Sequence, residues 1–113
     1  MNHLIKILIV CIALSSIYAD MVRPIEGQRL NYLHIPFEWD QEASASNYNL
    51  QVSRNSDFNT LVADINTSNT LYLLTDGVNW ESTYFWRVRP TFTLDNGLVE
   101  TGDWIDSKYF TTG

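Results

Sequence analysis

The residues best suited to acid–base chemistry are three carboxylates near the C-terminal end of the chain. The segment "ETGDWID" supplies Glu100, Asp103 and Asp106. A pair of carboxylates can hydrolyse a glycosidic bond, and carboxylate oxygens can also hold Ca²⁺. Carboxylates at turns more often accept local backbone hydrogen bonds, and no loop here has EF-hand spacing. We therefore expect these acids to keep the protein soluble, with a catalytic pair and a weak calcium site as the minor alternatives.

Other catalytic chemistries lack the residues they need. Beyond residue 19 the chain has one histidine, His34, and no cysteine. Nucleophilic catalysis needs a base within reach of a hydroxyl or thiol, and zinc sites need several Cys or His ligands. We expect His34, which directly precedes "IPFEW", to be a half-exposed loop residue. The glycines are isolated turn markers rather than a phosphate-binding loop. The sequence predicts no enzyme, no cofactor and no metal.

Aromatic side chains are the second group of candidates, and their chemistry is binding. The stretch "TYFWRVRP", residues 83–90, holds three aromatic residues and two arginines. Exposed rings can stack on sugar faces or anchor a protein interface. The alternative, which we favour, is that such rings cap the open ends of the fold and its hairpins. The candidate ligand-binding residues are Trp80, Trp104, Tyr109 and Phe85, and Tyr32 is a further ring without an assigned inward position.

The N-terminal segment "MNHLIKILIVCIALSSIYAD" is typical of a secretory leader. Lys6 gives it a positive start, residues 7–14 are an unbroken apolar run, and small residues end at Ala19. The run is too short for a bilayer-spanning helix, which needs about 20 apolar residues. We predict a signal peptide over residues 1–19, cleavage after Ala19, and a secreted or cell-envelope location. An uncleaved anchor is the minor alternative, and lipidation of Cys11 is disfavoured because that residue lies inside the apolar run.

Residues 20–113 are the length of one domain. They carry six basic and 13 acidic residues, a formal charge of −7. This charge argues against binding to nucleic acid or an anionic membrane surface, which both require clustered cations. The only cysteine leaves with the leader, so an aromatic-rich core has to hold the domain together. We expect a monomeric domain without a membrane span.

The pattern after the leader is that of an all-β protein. Apolar residues alternate in short runs, and no long window has a helical period. The runs are "IPFEW", "YNLQVS", "LVADI", "TLYLL", "YFWRVRPTF" and "KYFTT", with an irregular strand near residues 23–30. Turn-forming sequences such as "RNSD", "TDG" and "DNG" separate them. About seven strands at this spacing predict a seven-stranded antiparallel β-sandwich.

Strand alternation gives the stretch "TYFWRVRP" two faces. Burying an unpaired guanidinium is costly, and a slip of one residue would turn both arginines inward. We therefore predict that Arg87 and Arg89 lie on the outer face with Phe85, as solvated partners for acids on neighbouring strands. The predicted structural core contains Trp39, Tyr48, Tyr84 and Trp86.

These positions resemble a fibronectin type III domain over nearly all of residues 20–113. Trp39 in "FEW" resembles the core tryptophan of the second strand, and Tyr48 in "SNYNLQVS" resembles the third-strand tyrosine. The run "VNWESTYFWRV" is similar to the family's leucine-x-proline-glycine-x-x-tyrosine segment, although Trp-Glu replaces Pro-Gly. The resemblance implies that the Tyr84 hydroxyl bonds to backbone just before it, as a tyrosine corner. "GDWIDSKYFTT" resembles the closing strand, with Trp104 and Phe110 at its aromatic positions.

The resemblance implies an immunoglobulin-like fold and a non-catalytic extracellular module. Such a module acts as a spacer or recognition domain, here as the N-terminal part of a larger secreted protein. Its partners would be other domains of the same polypeptide, an extracellular protein or a polysaccharide. The amino-acid sequences of the strands are also similar to those of modules in bacterial exported proteins, including modules attached to polysaccharide-active or sulfo-transfer enzymes.

Two alternatives follow from these features. One is an accessory domain of a secreted carbohydrate-active or aryl-sulfate sulfotransferase-type enzyme. The other is a free-standing carbohydrate-binding module that uses Trp80, Trp104 or Tyr109.

Asn66 begins an Asn-Thr-Ser triplet, which is an N-glycosylation acceptor pattern if the source is a eukaryote.

Overall fold

The computed structural model describes residues 20–113. The predicted leader, residues 1–19, lies outside this range. The described residues form nine strands: β1 (Met21–Arg23), β2 (Gln28–Leu30), β3 (Ile35–Trp39), β4 (Asn47–Ser53), β5 (Leu61–Thr67), β6 (Leu71–Leu74), β7 (Thr83–Thr93), β8 (Val99–Thr101) and β9 (Ser107–Thr112). No helix capable of crossing a membrane occurs in this part of the chain.

The strands form two sheets, which confirms the prediction of an all-β, two-sheet protein. The smaller sheet has the order β1-β3-β6, and the larger has the order β2-β9-β7-β4-β5 with β8 beside the far end of β7. Ladders in the smaller sheet are antiparallel. In the larger sheet β2 pairs with β9 in parallel and the other pairs are antiparallel.

Aromatic side chains from both sheets meet between them in the manner of a β-sandwich. Phe37 of β3 contacts Trp86 of β7 edge-on, with ring centroids 5.1 Å apart, and it contacts Phe110 of β9 at 5.8 Å. Trp39 contacts Tyr48 across the same interior at 5.8 Å. The four residues assigned to the core from the sequence, Trp39, Tyr48, Tyr84 and Trp86, are all at most 2% exposed.

The N-terminal strand region differs from the expectation of seven antiparallel strands. The single irregular strand predicted near residues 23–30 is divided into β1 and β2, which belong to different sheets. Pro24 lies at the division and has no N–H with which to continue a ladder. Gly27, with φ of +74°, then turns the chain toward β9. Because the chain changes sheet here, β2 runs beside β9 in the parallel direction.

The other strand that was not predicted is β8, which pairs with the C-terminal end of the long strand β7. The predicted turn at residues 95–97 closes a hairpin in which β8 pairs with Thr91–Thr93. The Leu94 N–H donates to the Leu98 carbonyl at 2.8 Å, and Gly97 has φ of +84°. Positive φ favours glycine at such a turn. The "DNG" segment is therefore the turn of a hairpin whose second strand, β8, was not predicted.

Two buried tyrosines attach loops to the sandwich through their hydroxyl groups. The Asn79 N–H donates to the Tyr84 hydroxyl at 2.7 Å, which holds the loop before β7. The Glu42 N–H donates to the Tyr48 hydroxyl at 2.9 Å, which holds the loop before β4. Each ring is buried while its oxygen satisfies a backbone donor, so these residues join the core to the loops that flank it.

We predict that Tyr84→Phe lowers the free energy of unfolding by about 1–2 kcal/mol, because the Asn79 N–H loses its acceptor while the ring stays in place. Urea unfolding of the variant and the parent protein measures the change. Tyr109→Phe is the matched control, because no hydrogen bond is recorded for the Tyr109 hydroxyl within the described residues and its side chain is 40% exposed. Equal stability of both variants would contradict the role assigned to Tyr84.

Candidate functional site

The candidate site lies on the side of the larger sheet that faces away from the core, which we call the outer face. Phe85, Arg87 and Arg89 of β7 point to it and are half-buried, while Tyr84, Trp86 and Val88 between them are buried inside. The observed alternation matches the predicted register. The outer face is therefore built from polar and aromatic side chains that the strand period places in one row.

Arg87 is held by an amide and by two aromatic rings. Its Nε and Nη2 groups donate to the Gln51 Oε1 atom at 3.0 and 2.8 Å. The guanidinium carbon lies 4.1 Å from the ring centroid of Phe58 and 3.9 Å from that of Trp104. Cation–π contacts of this kind are strongest where the cation is shielded from water. Arg87 is therefore fixed in both position and plane.

Arg89 is held in the same way but with fewer contacts. Its Nε group donates to the Asn49 Oδ1 atom at 3.1 Å, and its guanidinium carbon lies 4.2 Å from the Trp104 ring centroid. The Asn49 amide in turn donates to the Asp64 Oδ1 atom at 2.7 Å. Phe58, Arg87, Trp104 and Arg89 thus form one continuous series of contacts, which we call the arginine–aromatic series.

The expectation that acids would pair with these arginines is wrong. The sheet register places Gln51 opposite Arg87 and Asn49 opposite Arg89. Asp64 is one strand further away, on β5 opposite Gln51, and its carboxylate accepts from Asn49. Amide oxygens and ring faces therefore occupy the places that carboxylates were expected to fill. The sequence alternation identified the face correctly but not the partners.

The surroundings of Arg87 lower the pKa of its guanidinium. Partial burial lowers the pKa of the Arg87 guanidinium, and the positive charge of Arg89 lowers it further, while Asp64 acts in the opposite direction. The group remains charged at neutral pH because arginine starts from a very high pKa. Two positive charges are thus held side by side on a domain whose formal charge is −7.

Trp104 reaches the arginines because the segment between β8 and β9 lies close to β7. The Gly102 N–H donates to the Pro90 carbonyl at 2.8 Å, and the Ile105 N–H donates to the Val88 carbonyl at 3.0 Å. A β-carbon at Gly102 would lie 2.9 Å from Pro90 Cγ and 3.2 Å from the Pro90 oxygen. Glycine therefore allows the close approach that brings the indole over the guanidinium groups.

Phe85 and Tyr109 form a second aromatic feature on the outer face. The two residues pair across β7 and β9, with ring centroids 6.2 Å apart and planes at 44°. Tyr109 is 40% exposed, so its ring is accessible to a ligand. The structure thus places three of the four candidate ligand-binding residues, Phe85, Trp104 and Tyr109, on one face.

The fourth candidate, Trp80, lies away from this group. It precedes β7 in the loop held by Tyr84, is 51% exposed, and has no aromatic or cation–π contact with the described residues. Conversely, the sequence interpretation missed Phe58. The only sequence signal for Phe58 was that an apolar residue directly follows the predicted turn "RNSD". No local pattern predicted that its ring contacts the guanidinium of Arg87.

The residues considered for acid–base and metal chemistry lie exposed at the surface. Glu100, Asp103 and Asp106 are exposed, and one Asp106 oxygen accepts the N–H of Ser107 at 2.8 Å. His34 is exposed rather than half-exposed. Between residues 20 and 113, no three His, Cys, Asp or Glu side chains are grouped as metal ligands. The outer face therefore remains the surface where chemically distinctive side chains converge.

No protein-family profile matches the chain, and a search of the curated proteins finds no significant match. The function of the chain is therefore inferred from the geometry of its outer face and from its fold.

We predict that Trp104→Ala lowers the free energy of unfolding by about 2 kcal/mol, because two guanidinium groups lose their shared ring. Trp80→Ala removes the same side chain from an exposed loop and should change stability by less than about 0.5 kcal/mol. Thermal and urea unfolding of both variants test this difference. If Trp80→Ala is as destabilising as Trp104→Ala, the stacking of Trp104 on the arginines does not contribute to stability.

Proposed function

We propose that this protein is a non-catalytic, exported recognition module of the fibronectin type III kind, and that its outer face binds the ligand. The observation that carries the proposal is the arginine–aromatic series, in which planar charged and aromatic groups are held in fixed positions. Side chains ordered before binding lose less conformational entropy when a ligand arrives. Arg, Trp and Tyr are also the residue types that most often dominate binding energy.

Three features support the fibronectin type III assignment. The first is the two-sheet arrangement around Trp39, Tyr48 and Trp86. The second is the Tyr84 hydroxyl, which accepts from a backbone N–H five residues upstream near the start of β7, as a tyrosine corner does. The third is the position of β9 beside β7 as the closing strand. The leader-like segment before residue 20 supports export.

The same features support a module in a larger exported protein. In this proposal the domain presents its outer face to other domains, to an extracellular protein or to a polysaccharide, while the sandwich serves as a rigid spacer. The accessory domain of a carbohydrate-active or sulfo-transfer enzyme is one form of such an arrangement. It predicts that catalytic groups lie elsewhere in the same polypeptide.

A carbohydrate ligand is the second candidate function, and the Phe85–Tyr109 pair favours it. An exposed ring can pack against the apolar face of a sugar. The pair lies on the same face as the two arginines, so one extended ligand can contact rings and cations together. This version uses Tyr109, Phe85 and Trp104 and leaves Trp80 outside the site.

Glycan-array binding of the full-length exported protein tests the proposal. We expect one class of extracellular glycan to bind, with Tyr109→Ala weakening that binding by about tenfold because a stacking ring is worth roughly 1–1.5 kcal/mol. Trp80→Ala is the matched control and should bind like the parent protein. Binding lost with Trp80→Ala but kept with Tyr109→Ala would contradict the assigned face. Turnover of a glycan that disappears with Asp103→Asn or Glu100→Gln would contradict a non-catalytic role.

A further inference from the structure

We propose that Arg89 is the anchoring cation of the outer face and binds the carboxylate of a uronic-acid-containing glycan. The inference rests on the proposed function and specifies the chemical class of its ligand. It depends on the free donors of Arg89, on the fixed orientation of its guanidinium, and on the aromatic pair further along the same strand.

Arg89 is a cation with unused donors. Its Nε group bonds to Asn49, while its Nη1 and Nη2 groups make no hydrogen bond with the described residues. The salt bridge within residues 20–113 joins Arg23 Nε to Glu38 Oε1 at 2.8 Å, and it involves neither outer-face arginine. A domain with 13 acidic residues therefore leaves this guanidinium without a carboxylate of its own.

The geometry fixes how a ligand would meet Arg89. The Nε bond and the Trp104 ring hold the guanidinium plane, so the two Nη groups present a fork of defined orientation. Such a fork matches the two oxygens of a carboxylate through parallel hydrogen bonds. Arg87, by contrast, has both its Nε and Nη2 groups committed to Gln51 and is stacked by two rings. Arg89 is thus the recognition group, while Arg87 contacts the same Trp104 ring.

The rest of the face indicates a glycan. Phe85 lies four residues before Arg89 on β7, a separation of roughly 13 Å along the strand. The Phe85–Tyr109 pair offers ring surface at that distance, which suits an extended chain whose sugars alternate contact with a ring and with a cation. The formal charge of −7 repels any polyanion, and the repulsion grows with the number of charges on each sugar. A polymer with one carboxylate per sugar is therefore better suited than a heavily sulfated one.

Titration calorimetry of the full-length exported protein with sodium polygalacturonate tests the inference. Arg89→Gln should weaken binding by roughly tenfold or more, the loss expected when a charged hydrogen-bonded pair is removed. Arg54→Gln is the matched control, because it removes the same charge from an exposed turn between β4 and β5, and it should bind within about twofold of the parent protein. Urea unfolding of each variant checks that the fold is kept.

Three further measurements distinguish the inference from its competitors. Fully methyl-esterified polygalacturonate should bind roughly tenfold or more weakly, since its carboxyl groups are uncharged esters; equal binding would overturn the inference. Arg89→Lys keeps the charge but loses the fork, and full rescue of binding by lysine would overturn the bidentate contact. Tighter binding to heparin than to polygalacturonate, or an equal loss in Arg54→Gln, would show attraction to any polyanion instead.

The outcomes also separate this inference from the proposed function. A neutral glycan that binds through Tyr109 and is indifferent to Arg89→Gln would overturn the carboxylate assignment and leave the recognition module intact. A protein that is folded, and whose array binding is lost with Trp80→Ala alone, would overturn the outer face as the ligand site and with it the inference.

Discussion

The contact between Phe37 of β3 and Trp86 of β7 is the interaction on which this structure depends. It joins the two sheets at their centre, where both rings are fully buried. The Trp86 ring also donates to the Pro24 carbonyl at 3.3 Å, which links the core to the crossing between β1 and β2. Because a domain of this size has little apolar area to bury and residues 20–113 contain no cysteine, a few large rings provide most of its stabilisation.

Burial of Trp86 has a direct consequence for the other side of β7. The strand period that turns Trp86 and Val88 inward turns Arg87 and Arg89 outward. Amide oxygens and aromatic rings contact the guanidinium groups of these arginines. Rings and amide oxygens accommodate a guanidinium without neutralising it, so the outer face keeps its positive charge. Core packing and a candidate binding surface thus arise from one strand.

The sequence allowed the all-β class, the central strands and the inward residues to be predicted, because an alternating pattern fixes which side chains share a face. Predictions were less successful where a single residue interrupts that pattern. The chain changes sheets at Pro24, and the additional strand β8 depends on a turn at Gly97. The partners of Arg87 and Arg89 were also wrong, since they depend on which strand lies alongside and in what register. Trp104, which the resemblance placed in the closing strand, lies in the loop before β9. Phe58 also lies in a loop, and the paths of both loops leave no local signal.

By itself, the sequence determined a β-rich domain with a mainly aromatic core, a leader-like start, a negative formal charge and an outward position for both arginines. These properties follow from composition and from the two-residue period of a strand, which are local. The tertiary structure alone decided that Trp104, distant in sequence from Phe58, shares with it the guanidinium of Arg87. It also decided that Arg89 has no carboxylate partner among the described residues. Such contacts depend on strand order and loop paths, which are set by packing over the whole domain rather than by any short stretch of residues.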